Sequence, residues 1–153
     1  MTQQMEQLKQ LFADYIDFAN ALPRESTLQK LLTDRRSSSS ENPGHQQFYD
    51  NVAAWTAEFA AGSPSPEEIR QVVEFILLAA PEQQDKMSYW YLIAVQRHTL
   101  ELIPGMEPSD RTGLAPRFEA AYSKATRVPV QLDILDLLRG QTRKKGLLER
   151  LFS

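Results

Sequence analysis

From Met5 onward the apolar residues return at intervals of three and four: Met5, Leu8, Leu11, Phe12, Tyr15, Ile16, Phe18, Ala19 and Leu22. At about 100° per residue they gather on one side of a helix, and Glu6, Gln10, Asp14 and Asp17 take the other. The same period recurs along most of the chain, and no alternating run bounded by turn residues marks a strand or hairpin. A chain patterned this way must bury one stripe of each helix against other helices. The expected fold is therefore all-α, an antiparallel helical bundle or stacked helical hairpins of six or seven helices.

Turn residues divide the pattern. Pro23 closes the first helix, and residues 24–44 form an irregular connection in which Ser26 caps a short helix over STLQKLL before the loop DRRSSSSENPG. Residues 45–61 set Phe48, Val52, Trp55 and Phe59 on one face, with Gly62 as the cap. Ser65, Pro66, Glu67 and Glu68 combine an N-cap, a proline in the first helical position and a capping-box glutamate, opening a helix that runs to about Ala80. A single long helix is expected over 87–103, stopped by Pro104 and Gly105. In the helix over 108–124, Gly113 and Pro116 predict a kink or a late start near Ala115. Residues 129–138 make a short apolar helix ended by Gly140, and TRKKGLLERLFS a last one. A 43-residue shift aligns Val52 with Val95, Thr56 with Thr99 and Gly62 with Gly105, a match no better than two amphipathic pairs share by chance.

The 153 residues suit one domain, residues 1–138, followed by a tail over 139–153. With 42% hydrophobic and 24% charged residues the chain has the apolar content to build a core. The absence of cysteine removes disulfides, thiolate zinc sites and a cysteine nucleophile together, and suits a reducing interior. MTQQMEQLKQ lacks the basic and apolar regions of a signal peptide, and no uncharged run approaches the roughly 18 apolar residues of a membrane span, so a cytoplasmic location is expected. The tail holds Arg139, Arg143, Lys144, Lys145 and Arg150 against Glu149, a local +4, which with a total of −3 leaves −7 for residues 1–138. An acidic body argues against nucleic acid, which requires a basic face.

YWYLIAVQRHTLELI, residues 89–103, places four polar residues inside an apolar stretch. On a helical wheel Gln96 and Thr99 fall within the apolar arc of Tyr89, Tyr91, Leu92, Ile93, Val95, Leu100, Leu102 and Ile103. His98 sits at the edge of that arc; Arg97 and Glu101 point away from it, four residues apart, with Trp90 and Ala94 alongside. Thr99 is expected to bond the carbonyl of Val95, Gln96 to find a partner on a neighbouring helix, and Arg97 to pair with Glu101. Gln96 and His98, with Tyr91 nearby, are also the residues around which a small-ligand or enzyme site between helices would be built.

No catalytic constellation accompanies them. His45 and His98 are the only histidines, the Glu-x-x-His pair of bundle metal sites is absent, and there is no GxGxxG, P-loop or GxSxG motif. No metal ligands, catalytic residues or cofactor are assigned. More telling is apolar surface in excess of what one contact needs. Phe75 and Leu78 lie outside the inner arc of Ile69, Val72, Val73, Ile76, Leu77 and Ala80; Trp90 faces away from its own; and Val130, Ile134 and Leu137 extend beyond the stripe of Leu132, Leu135 and Leu138. The tail adds Arg143, Lys144 and Lys145 before Leu147, Leu148, Leu151 and Phe152, a pattern suited to a partner groove or an anionic membrane surface. The leading expectation is a non-catalytic interaction domain with a protein partner or self-association through an apolar helix face. The inter-helix ligand site and a peripheral membrane role for the tail stand as alternatives.

Overall fold

A computed structural model of the chain describes residues 2–21, 43–80, 87–124 and 127–140. These residues form six α-helices and no strand: α1 (Thr2–Asn20), α2 (Pro43–Ala61), α3 (Pro66–Leu77), α4 (Met87–Ala94), α5 (Pro108–Ala121) and α6 (Pro129–Leu138). Two 3₁₀ segments, Val95–Thr99 and Ile103–Gly105, lie between α4 and α5. Residues 24–42 of the connection expected over 24–44, where a short helix after Ser26 is expected, and the tail beyond Gly140 lie outside the described residues.

The stripe on α1 does what its spacing requires. Met5, Leu8, Phe12 and Tyr15 are buried, whereas Glu6, Gln10, Asp14 and Asp17 face solvent. Tyr15 stacks on Phe48 of α2 at 4.1 Å, Phe12 meets the edge of the same ring at 5.2 Å, and Phe18 lies against His45. Later residues of α1 thus meet earlier residues of α2, and the pair is antiparallel. Close approach depends on Gly44, where a Cβ would collide with the Phe18 ring. Because Gly44 lies inside the contact, α2 begins at Pro43, two residues before the expected start, with the proline spending its missing donor in the first turn. At the other end it is Ser63, not Gly62, that takes a left-handed conformation, φ 54°.

The capping box of α3 is complete. Glu68 N–H donates to Ser65 Oγ at 3.2 Å, and Ser65 N–H donates to Glu68 Oε1 at 2.9 Å. Ile69, Val72, Val73, Ile76, Leu77 and Ala80 are all buried, as the wheel predicts. The long helix over 87–103 is not formed as one element. After Ala94 the winding tightens: Leu100 N–H donates to the Arg97 carbonyl at 3.1 Å and Leu102 N–H to that of Thr99 at 2.9 Å. Thr99 Oγ1 accordingly donates to Gln96 O at 2.7 Å and not to Val95. Three residues per turn bring Gln96, Thr99 and Leu102 into one line, and all three are buried. The same tightening rotates Glu101 out of line with Arg97, so the expected ion pair is absent and both side chains are solvated.

The Val95–Thr99 segment packs against α2, α3, α4 and α6, which places it at the centre of the bundle. α5 runs unbroken from Pro108 through Pro116, so there is no late start near Ala115. The carbonyl that Pro116 leaves unbonded belongs to Thr112, and both residues are exposed, where water satisfies it. On α6 the buried line is Gln131, Ile134, Leu135 and Leu138, while Leu132 is 37% exposed. The stripe is therefore rotated from the expected one: Ile134 belongs to the core and Leu132 to the surface.

Candidate functional site

Gln96 ends in a closed knot. Its Nε2 donates to Tyr122 Oη at 2.9 Å and, more weakly, to the Leu77 carbonyl at 3.4 Å, and its Oε1 accepts from Gln131 Nε2 at 3.1 Å. Tyr122 Oη donates to the same Leu77 carbonyl at 2.6 Å, and Gln131 Oε1 accepts from the backbone N–H of Val128 at 3.2 Å. Every polar atom of both amides is engaged, and Gln96, Tyr122 and Gln131 are at most 1% exposed. Burial pushes the Tyr122 hydroxyl above its ordinary pKa, so it stays protonated as a donor. The knot joins the end of α3, the central 3₁₀ segment, the end of α5 and the first turn of α6.

Tyr91 and His98 face elsewhere. Tyr91 stacks on His45 at 4.6 Å, and His45 Nδ1 shares a 2.7 Å hydrogen bond with Tyr15 Oη beneath the α1–α2 contact. Burial, then the nearby Tyr91, raises the Tyr15 hydroxyl. The His98 ring lies 4.5 Å from that of Tyr49 in a cleft of about 400 Å³ between α2 and the 3₁₀ segment, lined also by Ala53, Thr56, Arg97 and Glu101. Its Nε2 is buried without a hydrogen-bond partner. Burial holds the ring below its ordinary pKa and Arg97 adds to this, against a hydrogen bond with the Tyr49 backbone and the negative charges of Asp50 and Glu101. Gln96, His98 and Tyr91 thus occupy three separate environments. His45, which the sequence marks only as one of two histidines, is the one buried in an aromatic cluster.

The surplus apolar residues separate too. Phe75 and Leu78 are half-buried and line a groove of about 560 Å³ between α1 and α3, together with Met5 and Ala79 on its floor. Phe75 is held by an edge contact with Phe12 at 4.9 Å. Glu6 and Lys9 of α1 and Arg70, Gln71 and Glu74 of α3 form the rim. The α3 side is neutralised internally: Arg70 pairs with Glu67 at 2.6 Å and with Glu74 at 2.7 Å, and Arg117 of α5 reaches Glu74 at 2.9 Å. The hydrogen bond from Arg70, aided by Gln71, holds the Glu67 carboxyl near a pKa of about 2. Glu6 and Lys9 make no ion pair among the described residues. Trp90, 52% exposed, meets the ring of Tyr89 edge-on and no other aromatic ring among the described residues. Val130 and Leu137 are half-buried, and Ile134, fully buried, offers no surface.

Among the described residues no group of three or more His, Asp or Glu side chains is placed to hold a metal ion, and no helix is long and apolar enough to cross a membrane. Arg143, Lys144, Lys145, Leu147, Leu148, Leu151 and Phe152 lie outside the described residues. No family model, no curated protein and no solved structure matches the chain.

Proposed function

We propose that the chain is a non-catalytic interaction domain that binds a protein partner in the groove between α1 and α3. The observation that carries this reading is the groove's composition: an apolar floor of Met5, Phe75, Leu78 and Ala79 beneath a charged rim. Small-molecule sites enclose most of their ligand's surface. This groove is open to solvent and walled by two helices, a shape suited to an amphipathic segment laid along it with apolar anchors inward. The paired rim of α3 contributes orientation and little net affinity, since exposed ion pairs contribute about 0–1 kcal/mol. Anchors on the floor supply the binding energy.

Peptide-display selection against the full chain tests the reading, with Leu78→Lys as counter-selection. Leu78 is half-buried at the C-cap of α3, where a cation is tolerated by the helix dipole, so the melting temperature of the variant should barely move. Short amphipathic peptides should be enriched on the native chain and bind Leu78→Lys at least tenfold more weakly. Selection that yields no such peptides, or peptides indifferent to Leu78→Lys, removes the reading.

A further inference from the structure

The cleft beside His98 differs from the groove in what its polar atoms have left to offer. It holds about 400 Å³, in the lower part of the range that small molecules occupy. Three alanines of α2 and two leucines that follow the Val95–Thr99 segment give it an apolar wall. The hydrogen bond between the His98 ring and the Tyr49 backbone favours the protonated ring, so the ring donates to it. Nε2 has no partner, which makes Nδ1 the donor and leaves the lone pair of the uncharged ring on Nε2, buried. Thr56 lines the same cleft, and its Oγ1 donates to the Ala53 carbonyl at 2.9 Å, so that oxygen is left to accept.

Glu101, also on the lining, makes no ion pair among the described residues, and a carboxylate can only accept. Charge points the same way. Asp50 and Glu101 act on the ring against Arg97 alone, two negative charges to one positive. An imidazole lone pair, a hydroxyl oxygen and a carboxylate beside an apolar wall match a ligand that brings several N–H donors, a positive charge and an apolar body. We propose that the cleft binds the protonated primary amine of a small organic molecule, its N–H groups shared among His98 Nε2, Thr56 Oγ1 and Glu101. A simple amine and a free amino acid both carry that group, and Arg97, exposed on the lining, is the partner that only the amino acid's carboxylate would use. The site is separate from the groove between α1 and α3, and neither reading depends on the other.

The test titrates the full chain with phenethylamine, phenylalanine and hydrocinnamate while NMR follows the imidazole nitrogens, His98→Phe identifying the signals of His98. Phenethylamine should bind with a dissociation constant of about 1 mM or tighter and shift the Nε2 resonance. Hydrocinnamate, which has the aromatic body without the amine, should bind at least tenfold more weakly. His98→Phe keeps a ring without the lone pair and should weaken the amine at least tenfold. Ala57→Leu, at an exposed position on the lining, fills the cleft without touching a polar group and should abolish binding at an unchanged melting temperature. Arg97→Gln separates the two sources: a selective loss of phenylalanine binding assigns the site to amino acids, and amine binding that is unchanged or tighter, with phenylalanine the poorer ligand throughout, assigns it to simple amines. Three results overturn the proposal: an Nε2 resonance indifferent to millimolar amine, hydrocinnamate binding as tightly as the amine, or amine binding that survives both His98→Phe and Ala57→Leu. Leu78→Lys in the groove should leave amine binding as it is, and a loss there would place the amine in the groove and overturn the proposal as well.

Discussion

The centre of the bundle and the groove between α1 and α3 are both mixtures of polar and apolar groups, and they are resolved in opposite ways. At the centre, the two glutamine amides, the tyrosine hydroxyl and the Leu77 carbonyl satisfy one another away from water. In the groove the apolar side chains are left half-exposed, and the charged groups pair along the rim or face solvent. The difference teaches where to look for function. A buried polar cluster whose atoms are all used has no capacity left for a ligand and fixes the geometry of four elements. Apolar surface that none of the described elements covers retains the capacity to bind.

The contrast breaks first if the centre is not structural. Gln96→Ala removes the amide that both Gln131 and Tyr122 face and leaves a cavity at a fully buried position. Orphaning the Gln131 amide costs about 1–3 kcal/mol and the cavity adds to it, so a total loss of about 3–4 kcal/mol is expected in urea or guanidinium unfolding. Binding of groove peptides to the folded fraction should be unchanged. A loss below about 1 kcal/mol would show that the knot is dispensable, which falls outside the range for breaking a buried network.

A double-mutant cycle sharpens the same point with a smaller effect. Gln96→Leu and Gln131→Leu each leave one buried amide facing an aliphatic side chain, at a cost of about 1–3 kcal/mol apiece. Made together they remove both amides, and the double variant should be less destabilised than the sum by about 1 kcal/mol or more. The backbone N–H of Val128 loses its acceptor in both Gln131 variants, so that term cancels from the coupling. Additive costs would mean that the 3.1 Å contact between the amides contributes nothing.

Much of the fold is legible in the sequence because it rests on local rules. The capping box at Ser65 and the stripe of α3 depend on residues within one or two turns, and both stand as read. What the sequence hides depends on partners distant along the chain. Helical winding at a fixed 100° places Gln96 and Thr99 inward correctly, yet nothing local announces the change to 3₁₀ geometry after Ala94, because the partners Leu77, Tyr122 and Gln131 come from three other elements. The rotated face of α6 has the same origin. Gln131 looks like a surface residue in a run of leucines, and only Gln96 and the N–H of Val128 make its burial favourable. Phe75 and Leu78 are recognisable as surplus, whereas Met5, which lines the groove with them and Ala79, reads only as part of the apolar stripe of α1. An apolar excess can be seen on one helix; a groove takes two.

His98, two residues from Gln96, gives the smallest expected effect and the finest discrimination, because it belongs to neither extreme. Its ring is half-buried beside Tyr49 with Nε2 unpartnered, and burial, with Arg97, holds its pKa below the ordinary histidine value near 6.5. The unfolded chain therefore takes up a proton there at a higher pH than the folded chain does. Linkage makes the sign definite: stability due to this group is present above about pH 6.5 and declines as the pH falls through that value toward the folded pKa. His98→Gln keeps a polar group of similar reach without a titrating proton, so the variant should lose less stability than the native chain between about pH 7 and 5. The carboxylates held low by their partners, Glu67 and Glu68, are lost at lower pH and contribute equally to both proteins. At pH 7 the two proteins should differ by less than about 1 kcal/mol, the range of an ordinary surface substitution. Parallel pH profiles would show that the cleft does not resist protonation and that His98 belongs with the solvated residues, whereas a variant more acid-sensitive than the native chain would reverse the assigned direction.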